Sequence, residues 1–430
     1  MPRALFIAAP ASGQGKTLLT AALAWRHRQQ GKRVRVFKTG PDFLDPMMLE
    51  AASGAAVGNL DLFMGGAEDC LRQIASAADA DLILVEGVMG LYDGTPSSAD
   101  MAVLLNMPLL LIVDASAMAQ TFGALALGLT HYDPRPMFAG ILANRVASQG
   151  HAAMLRNSLP ASVAWLGHLP HEAGNAWPER HLGLIPPAEA PGFETHLQRI
   201  ADALPDTLTS LDRIPTYPLP SPPPQAAPIK RRLDGLRIAV ARDSAFSFIY
   251  PANTAMLNQL GAELRFFSLL AGDPLPDCEA IWLPGGYPEL HLQSLSQHPS
   301  WRESLLNHHR QGKPLLAECG GMVALTDKLT TATGDWGPMA GLIPGESMVC
   351  PTLQGLGLQT LETPWGLIRG HAFHYSRMTT SWTACAHTRT QRHTPGEAVY
   401  RSGGLVASYF HSYFPSNPEA IASLFLGQWT

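Results

Sequence analysis

The sequence lacks the features that define several protein classes. Its five cysteines lie far apart and form no C-x-x-C pair, which argues against a disulfide framework or a zinc site. No apolar run approaches the roughly 18 residues that a membrane-spanning helix needs, and the apolar start is too short for a signal peptide. We therefore expect a protein of the reducing cytoplasm without a membrane partner.

The sequence also has no large excess of positive or negative charge. The chain has 30 Lys and Arg against 35 Asp and Glu, a formal net charge of −5, and no basic cluster longer than a few residues. A basic face for nucleic acid is therefore not expected. With 430 residues, 46% of them hydrophobic, the chain is long enough for two or three domains with large cores.

One stretch breaks the composition of the chain. Residues 214–228, IPTYPLPSPPPQAAP, are dominated by proline, which disfavours a helix or an inner strand. An extended, semi-rigid linker is the natural interpretation. We predict a first domain over residues 1–212, a linker over residues 213–233 and a second domain over residues 234–430.

Both predicted domains alternate strand-like and helix-like segments. In the first, the apolar runs ALFIAA, RVRVFK, DLILVE, PLLLIVD and MFAGILAN are typical of buried parallel strands. The second repeats the style with LRIAVA, ELRFFS, AIWLPGG, PLLAEC and LVASYF, and its later part, TPWGLIRGHAFHYSRM, is richer in strands. This pattern predicts an α/β protein with two doubly wound domains.

The run APASGQGKT, residues 9–17, lies between the first strand-like run and a helix-like segment. In that context backbone N–H groups and a helix N-terminus face a phosphate. Five residues are expected to hold it: Gly13, Gln14, Gly15, Lys16 and Thr17. Ala9 replaces the first glycine, at the longer spacing of P-loop synthetases similar to dethiobiotin synthetase. The alternative is an ordinary turn before a helix.

Charged residues follow two of the predicted strands: Lys38, Asp42, Asp45, Glu86 and Asp93. Ligands of open α/β sheets bind at the carboxyl ends of the strands. Since Mg²⁺ takes carboxylate oxygens together with phosphates and water, Thr17, Asp42 and Glu86 are candidate magnesium ligands. The alternative for the two aspartates is a turn beside proline. Glu86 follows the apolar LILV directly and needs a partner if it is buried.

The segment GKPLLAECGGMVAL predicts a strand, a sharp turn at Cys319 and a helix. Small residues on both sides of a nucleophile allow such an elbow, and Gly320 and Gly321 supply them. A helix N-terminus would lower the pKa of the Cys319 thiol. The alternative is a buried, inert cysteine. The other four are taken as structural: Cys70, Cys278, Cys350 and Cys385.

A thiol nucleophile needs a base, and His411 in LVASYFHSYFPSNP is the candidate. It follows a strand late in the chain, in the order of cysteine-dependent glutaminases. His371 and His374 are the alternatives. The backbone of Gly285 and Gly286, after another strand, is expected to supply donors for an oxyanion.

Together these motifs resemble the cobyrinic acid a,c-diamide synthase family over nearly the whole chain. The matching segments are ASGQGKT, FKTGPDFLDP, NLDLFM, EGVMGLYDG, IVDASAMAQTFGAL, ILANRV, RIAVARDSAFSFIYPAN, LPGGYPE, AECGGM, RGHAFHYS and SYFHSYFPSNP. The resemblance implies an amino-terminal P-loop NTPase-like domain, similar to dethiobiotin synthetase, and a carboxy-terminal class I glutaminase-like domain. It also implies ATP as co-substrate, Mg²⁺, glutamine and a corrinoid substrate whose acetate carboxylates become amides through acyl phosphates.

The resemblance further implies roles for single residues. Asn144 would read the nucleotide base, Cys319 would be the nucleophile and His411 its base. The acyl-phosphate region would include Lys38, Phe43, Leu44, Asp45 and Asp93, with Phe43 and Leu44 in a PDFLDP loop.

Tyr413 stands where Cys-His-Glu glutaminases have Glu, a residue that the family named above also lacks. The sequence departs from that family at two positions, with Ala372 where relatives usually have Glu and Phe43 where many have Tyr. Without Glu at position 413, His411 is oriented by another group or acts in a dyad, and we expect modest glutaminase activity unless the corrinoid is bound. Alternatives are a sister ligase, such as cobyric acid synthase or Ni-sirohydrochlorin a,c-diamide synthase, and a regulatory ATPase with an inactive glutaminase-like module. The sequence leaves open a homodimer and whether the corrin carries cobalt.

Overall fold

A computed structural model describes residues 1–171, 179–180, 183–184, 192–224 and 228–429. The chain forms two compact units, Met1–Leu62 with Gly66–Pro224 and Phe63–Gly65 with Gln225–Thr430. Within the described ranges, no helix has both the length and the apolar character needed to cross a bilayer.

The first unit is built around a parallel sheet. Its strands are β1 (Arg3–Ala8), β2 (Val34–Thr39), β3 (Gly58–Leu60), β4 (Leu82–Glu86), β5 (Leu109–Asp114), β6 (Phe138–Val146) and β7 (Trp165–Pro170), with a separate pair β8 (Glu179–Arg180) and β9 (Gly183–Leu184). Its helices are α1 (Lys16–Gln29), α2 (Leu44–Ser53), α3 (Gly66–Ala75), α4 (Ser98–Leu105), α5 (Thr121–His131), α6 (Gln149–Ser158), α7 (Phe193–Asp202) and α8 (Asp206–Thr209). The order β3-β2-β4-β1-β5-β6-β7 makes the sheet doubly wound.

Alternation along the strands explains why both faces of this sheet are covered. In β1, Phe6 and Ala8 pack into one apolar cluster, whereas Leu5 and Ile7 pack into the other. A parallel strand buried on both sides reads as a continuous apolar run, which is the pattern seen in the sequence. The carboxyl ends of β1, β2 and β4 therefore meet at one edge.

The start of the proline-rich stretch packs within the first unit, which extends to Pro224. The N–H of Ala4 donates to the carbonyl of Pro215 at 3.1 Å, and the N–H of Tyr217 donates to that of Pro2 at 2.9 Å. The hydroxyl of Tyr217 donates to the carbonyl of Leu105 at 2.6 Å, and the ring is buried. Residues 225–227 of the predicted linker lie outside the described residues.

The second unit has a ten-stranded mixed sheet and a smaller one. Its strands are β10 (Arg237–Ala241), β11 (Glu263–Phe267), β12 (Ala280–Leu283), β13 (Leu315–Glu318), β14 (Thr326–Thr330), β15 (Trp336–Pro338), β16 (Ile343–Val349), β17 (Gly355–Thr363), β18 (Gly366–His374), β19 (Ser376–Thr380), β20 (Ala386–Thr390), β21 (Pro395–Ser402), β22 (Leu405–Ser408) and β23 (His411–Ser412). Its helices are α9 (Pro251–Gln259), α10 (Leu292–Gln297), α11 (Ser300–Arg310), α12 (Gly320–Val323) and α13 (Pro418–Phe425).

The large sheet has the order β11-β10-β12-β13-β22-β21-β20-β17-β18-β23. Its first five strands run parallel, and antiparallel pairs extend it from β22 to β23. The small sheet has the order β15-β14-β16-β19. The strand-rich character predicted for residues 363–378 comes from β17 and β18 of this extension and from β19 of the small sheet. Apolar clusters again cover both faces of the parallel strands.

Candidate active sites in the two units

The phosphate loop connects the end of β1 to the first residue of α1. Gly13 has φ 77° and Gly15 has φ 97°, a region that L side chains rarely adopt. A Cβ on Gly15 would also lie 2.4 Å from Nδ2 of Asn144. Both glycines are therefore required by backbone geometry, and the loop wraps around the N-terminus of α1.

Two side chains expected to bind ATP tether this loop to the sheet. The Oε1 of Gln14 accepts from the N–H of Asp114 at the end of β5, at 2.8 Å. The Nδ2 of Asn144, in β6, donates to the carbonyl oxygen of Gln14, also at 2.8 Å. The next residue, Arg145, has φ 58° and its guanidinium donates to the carboxylate of Asp114. Hydrogen bonds to residues of β5 and β6 thus hold the phosphate loop in place.

Lys16 begins α1 and points back across the loop. Its Nζ donates to the carbonyl of Ala11 at 3.1 Å and to that of Met89 at 2.7 Å. Burial and the neighbouring ammonium of Lys38 lower the pKa of Lys16 to about 8. A bound phosphate would relieve both effects, since it supplies the missing negative charge.

Lys38, in β2, is the buried partner that Glu86 needs. Its Nζ lies 2.6 Å from Oε1 of Glu86, 2.6 Å from Oδ2 of Asp45 and 3.7 Å from Oδ2 of Asp42. Burial lowers the pKa of Lys38, but these three carboxylates outweigh it and raise the pKa well above its ordinary value. Burial raises the pKa of Glu86, and that of Asp45 is lowered because Lys38 overcomes the burial. Three carboxylates therefore share one ammonium as their cationic partner.

The predicted magnesium ligands lie at the same edge. The Oγ1 of Thr17 donates to Oε1 of Glu86 at 2.8 Å, while Oε2 of Glu86 is buried and has no hydrogen-bond partner. The Oδ1 of Asp42 accepts from the N–H groups of Leu44 and Asp45 at the start of α2, which leaves Oδ2 beside Lys38. Among the described residues, no three His, Cys, Asp or Glu side chains form a metal cage by themselves. An orphaned carboxylate oxygen beside a hydroxyl fits a cation that takes its other ligands from phosphates and water.

The sequence predicts PDFLDP to be a loop, but α2 begins inside it, at Leu44. The expectation of a loop is therefore wrong from Leu44 onward, where Oδ1 of Asp42 accepts from the first N–H groups of the helix, those of Leu44 and Asp45. Phe43 is the residue directly before the helix. Asp93 stabilises the loop after β4, where its Oδ2 accepts from the N–H of Gly90 at 2.9 Å.

A cleft of about 300 Å³ opens over the phosphate loop. Its lining includes eight residues expected from sequence, namely Gly13, Gly15, Lys16, Thr17, Lys38, Asp42, Asp45 and Glu86. Phe43, Leu44, Asp93, Gln14 and Asn144 do not line it. The cleft also includes residues that sequence reasoning missed: Ser12, Leu18, Val88, Met89 and Arg145. The position of Arg145 directly after Asn144 in ILANRV was the available signal.

In the second unit, Cys319 sits at a strained turn between β13 and α12. Its φ is 46° and its ψ is −109°, which is rare for a residue with a side chain. The N–H of Cys319 donates to the carbonyl of Ser408 at 2.8 Å. A Cβ on Gly320 would lie 2.6 Å from the carbonyl oxygen and 2.9 Å from the nitrogen of Gly286. The elbow therefore needs a glycine after the cysteine, and it brings the Gly286 amide close to it.

The expected lowering of the thiol pKa is wrong. Burial raises the pKa of Cys319 above its ordinary range, and the nearby Glu289, Glu397 and Glu318 act in the same direction. The helix that follows has only four residues, Gly320–Val323, so its N-terminus does not outweigh burial. Without substrate, Cys319 is therefore a protonated thiol, and a base is needed to remove its proton.

His411 lies in β23, beside the glycine pair. A Cβ on Gly285 would lie 2.3 Å from Cε1 and 3.0 Å from Nδ1 of the His411 ring. The imidazole thus packs on the bare backbone of Gly285, while the neighbouring Gly286 contacts the elbow. Burial lowers the pKa of His411 well below its ordinary value, with His371 and His374 adding to the effect, so the ring is neutral.

The two alternative histidines occupy different positions. The ring of His371 stacks on that of His411, and its Nδ1 lies 3.1 Å from the hydroxyl of Tyr250. His374 stacks instead on Tyr409, with ring centroids 3.7 Å apart, and its Nδ1 lies 2.8 Å from the carbonyl of Ser376. His371 therefore contacts the candidate base directly. Ala372 lies between them in β18 and is buried.

Position 413, where glutaminases of the Cys-His-Glu type have Glu, is filled by a buried tyrosine. The ring of Tyr413 meets that of Tyr250 edge-on, with centroids 5.6 Å apart. The N–H of Tyr413 donates to the carbonyl of Arg369 in β18 at 2.8 Å. Tyr413 thus packs on Tyr250, whose hydroxyl is hydrogen-bonded to His371.

Comparisons with known proteins agree with this division of chemistry. The CobQ/CobB/MinD/ParA nucleotide binding domain matches residues 5–185, and the CobB/CobQ-like glutamine amidotransferase domain matches residues 237–419. The fold and the two sites thus define a glutamine amidotransferase joined to a nucleotide-binding domain. The pair of α/β domains expected from sequence is confirmed.

Several known proteins are similar to the chain over nearly their full length, and they identify its family within this class. The hydrogenobyrinate a,c-diamide synthases of Pseudomonas aeruginosa and Stutzerimonas stutzeri are each 51% identical to the chain, over 98% of it and 97% and 98% of their own lengths. The cobyrinate a,c-diamide synthase of Herminiimonas arsenicoxydans is 48% identical, over 98% of the chain and 96% of its own length. The chain belongs to the hydrogenobyrinate and cobyrinate a,c-diamide synthase family, as the motifs indicated.

Proposed function

We propose that the chain converts the a and c acetate carboxylates of hydrogenobyrinic or cobyrinic acid into carboxamides, with ATP and glutamine as co-substrates. The names of relatives at 51% and 48% identity support the choice of substrate. The observation that carries the proposal is the presence, in one chain, of a phosphate-loop cleft and a cysteine elbow whose neighbouring backbone contacts a buried, neutral histidine.

The cleft of the first unit supports activation of a carboxylate. A carboxylate is a poor electrophile, so its oxygen attacks the γ-phosphorus of ATP and ADP leaves, which gives an acyl phosphate. Lys16 and the N–H groups of the loop would hold the phosphates. Thr17, Glu86 and Asp42 would hold Mg²⁺, which would supply positive charge to offset that of the phosphates. The orphaned Oε2 of Glu86 supports this assignment.

The elbow of the second unit supports release of ammonia from glutamine. His411 takes the proton of the Cys319 thiol, and the sulfur attacks the side-chain carbonyl carbon of glutamine. The oxyanion that forms would accept from N–H groups of the Gly285–Gly286 segment and of the elbow. Ammonia leaves with the proton from His411, and water then hydrolyses the thioester to glutamate. Ammonia attacks the acyl phosphate, phosphate leaves, and a carboxamide remains; the cycle repeats on the second acetate.

The test is amidation followed by mass analysis. The full chain is incubated with ATP, Mg²⁺ and either glutamine or ammonium at high pH, on hydrogenobyrinic acid and separately on cobyrinic acid. We expect a diamide in both nitrogen arms. Cys319→Ala should abolish the glutamine arm and leave the ammonium arm, whereas Lys16→Ala should abolish both. Cys385→Ala is the matched control, because Cys385 is exposed.

Each outcome separates the alternatives. Loss of both arms in Cys319→Ala, or no change in either, would reject the ligase. ATP hydrolysis without amide formation in either arm would favour a regulatory ATPase with an inactive glutaminase-like module. Amidation of only one of the two acids decides whether the substrate carries cobalt.

A further inference from the structure

Glu318 is a buried acidic residue that has no role in the reaction steps proposed above. It is the last residue of β13, directly before Cys319, and only 2% of it is exposed. Side chains of β13 alternate between two apolar clusters: Leu315 and Ala317 belong to one and Leu316 to the other. Glu318 therefore shares the face of Leu316, against the cluster that contains Trp282.

Both carboxylate oxygens of Glu318 accept hydrogen bonds from other strands. Oε1 accepts from the N–H of Ser412 at 2.8 Å, and Oε2 accepts from Nε1–H of Trp282 in β12 at 3.1 Å. The side chain of Ser412 also hydrogen-bonds to it. These donors favour the carboxylate over the acid, whereas burial raises the pKa of Glu318 to about 7.

Ser412 is the residue directly after His411, so the contact joins the two halves of the candidate glutaminase site. Glu318 is the residue directly before Cys319, and it accepts a hydrogen bond from the strand that contains His411. Among the strands that the structure describes, the two-residue strand β23 pairs only with β18, through Gly370 and His371. The carboxylate of Glu318 links this short strand to β13.

We propose that Glu318 is a positioning residue of the glutamine-hydrolysing site, which holds the strand of His411 in register with the elbow of Cys319. The proposal rests on the proposed function, since it assigns Cys319 and His411 their roles. This role would replace that of the Glu missing at position 413. Glu318 precedes the nucleophile, Cys319, and accepts from the backbone N–H of Ser412, next to His411.

Burial of a carboxylate in an apolar cluster is costly unless hydrogen bonds to the carboxylate offset that cost. An apolar residue of similar volume would fill the same space without burying a charge. What an apolar residue cannot do is accept the N–H of Ser412. A shift of about 1 Å in a catalytic group can lower a rate by about 100-fold.

The test compares Glu318→Gln with a matched structural control, His308→Gln. Glutamine keeps the size of Glu318 but offers one acceptor oxygen, so an amide N–H₂ meets the second donor. His308 is also buried, and its Nε2 lies 3.0 Å from the carbonyl of Pro314, directly before the other end of β13. Substituting it perturbs the same strand away from the elbow.

For Glu318→Gln we expect kcat for glutamine hydrolysis to fall about 10- to 100-fold with KM for glutamine nearly unchanged, the split expected when alignment in the transition state is lost. Amidation with ammonium should match the wild-type protein. His308→Gln, compared at equal loss of melting temperature, should keep its kcat. Equal falls of kcat in the two variants, or loss of the ammonium arm in Glu318→Gln, would overturn the proposal.

A second readout separates this proposal from the function on which it rests. A glutamine-like diazoketone labels an activated active-site cysteine without needing ATP or corrinoid. If the wild-type protein makes no amide but is labelled at Cys319, the amidation proposal fails, and slower labelling of Glu318→Gln still supports the positioning role. Equal labelling of the two proteins, or no labelling of the wild type, rejects that role.

Discussion

The imidazole of His411 lies nearly parallel to that of His371, with ring centroids 4.9 Å apart and an interplanar angle of 15°. The two residues are directly opposite each other in the pairing of β18 with β23. Burial lowers the pKa of His371 to about 3, so that ring is neutral near neutral pH. The stack therefore restricts the tilt of the candidate base without adding charge to it.

Removing the stack should slow glutamine hydrolysis alone. In His371→Ala the ring of His411 gains freedom, and we expect kcat with glutamine to fall by about tenfold or more. The ammonium-supported reaction should be unchanged because it does not use His411. Steady-state kinetics with both nitrogen sources measures the effect, with His387→Ala on the exposed face of β20 as control. A parallel loss with ammonium would assign His371 to stability instead.

A methyl group on Gly285 should disable the same site by displacing the base. The Cβ would lie 2.3 Å from Cε1 of His411, closer than atoms can approach, and the buried ring has little room to move. Gly285→Ala should lose glutamine-dependent activity and keep ammonium-dependent activity. Gly337→Ala is the control, since its Cβ would come no closer than 3.2 Å, to the hydroxyl of Ser296. Glutamine kinetics like those of the wild type would show that His411 tolerates the contact and does not depend on that position.

Local signals in the sequence predicted much of this arrangement. The apolar runs gave the strands because both faces of each parallel sheet are buried, and the elbow at Cys319 was readable because its glycines are adjacent in sequence. The pairing of Lys38 with Glu86 was not predicted, although both residues were candidates. They are 48 positions apart, and only the neighbouring of β2 and β4 brings them together.

Contacts between distant strands explain what the sequence could not show. Glu318 reads as one more residue of a strand, and its bond to Ser412 spans 94 positions. The stack of His371 on His411 depends on which residues face each other across β18 and β23, which no local pattern encodes. The thiol pKa was predicted in the wrong direction because the short helix was a local feature and the burial of Cys319 was not.

That burial predicts how Cys319 reacts before substrate binds. The pKa of its thiol is raised, so the thiolate fraction at neutral pH is small and should grow about tenfold for each pH unit. Alkylation of Cys319 by iodoacetamide, followed by peptide mass analysis from about pH 7 to about pH 9, should therefore accelerate without reaching a plateau. A plateau near neutral pH would mean that the thiolate is stabilised, as the helix N-terminus had suggested.

Lys38 should stabilise the first unit as well as serve its chemistry. Its side chain is 3% exposed, and its Nζ pairs with the carboxylates of Asp45 and Glu86 at 2.6 Å each. Lys38→Met leaves these carboxylates buried without a cation, which should lower the free energy of unfolding by about 3–5 kcal/mol near neutral pH. Both nitrogen arms should fail together, because acyl-phosphate formation needs this cluster. Lys32→Met, at an exposed lysine, is the control.

The size of that loss should depend on pH with a definite sign. In the wild-type protein Lys38 holds the pKa of Asp45 below its unfolded value, so this stabilisation is present above the unfolded pKa and is lost as pH falls through the folded one. Without Lys38, burial raises the carboxylate pKa values, and the folded variant takes up protons that the unfolded chain does not. The stability difference between the two proteins should therefore shrink as pH falls from about 8 to about 5. Denaturant unfolding at both pH values measures it, and a constant difference would show that Lys38 does not neutralise these carboxylates.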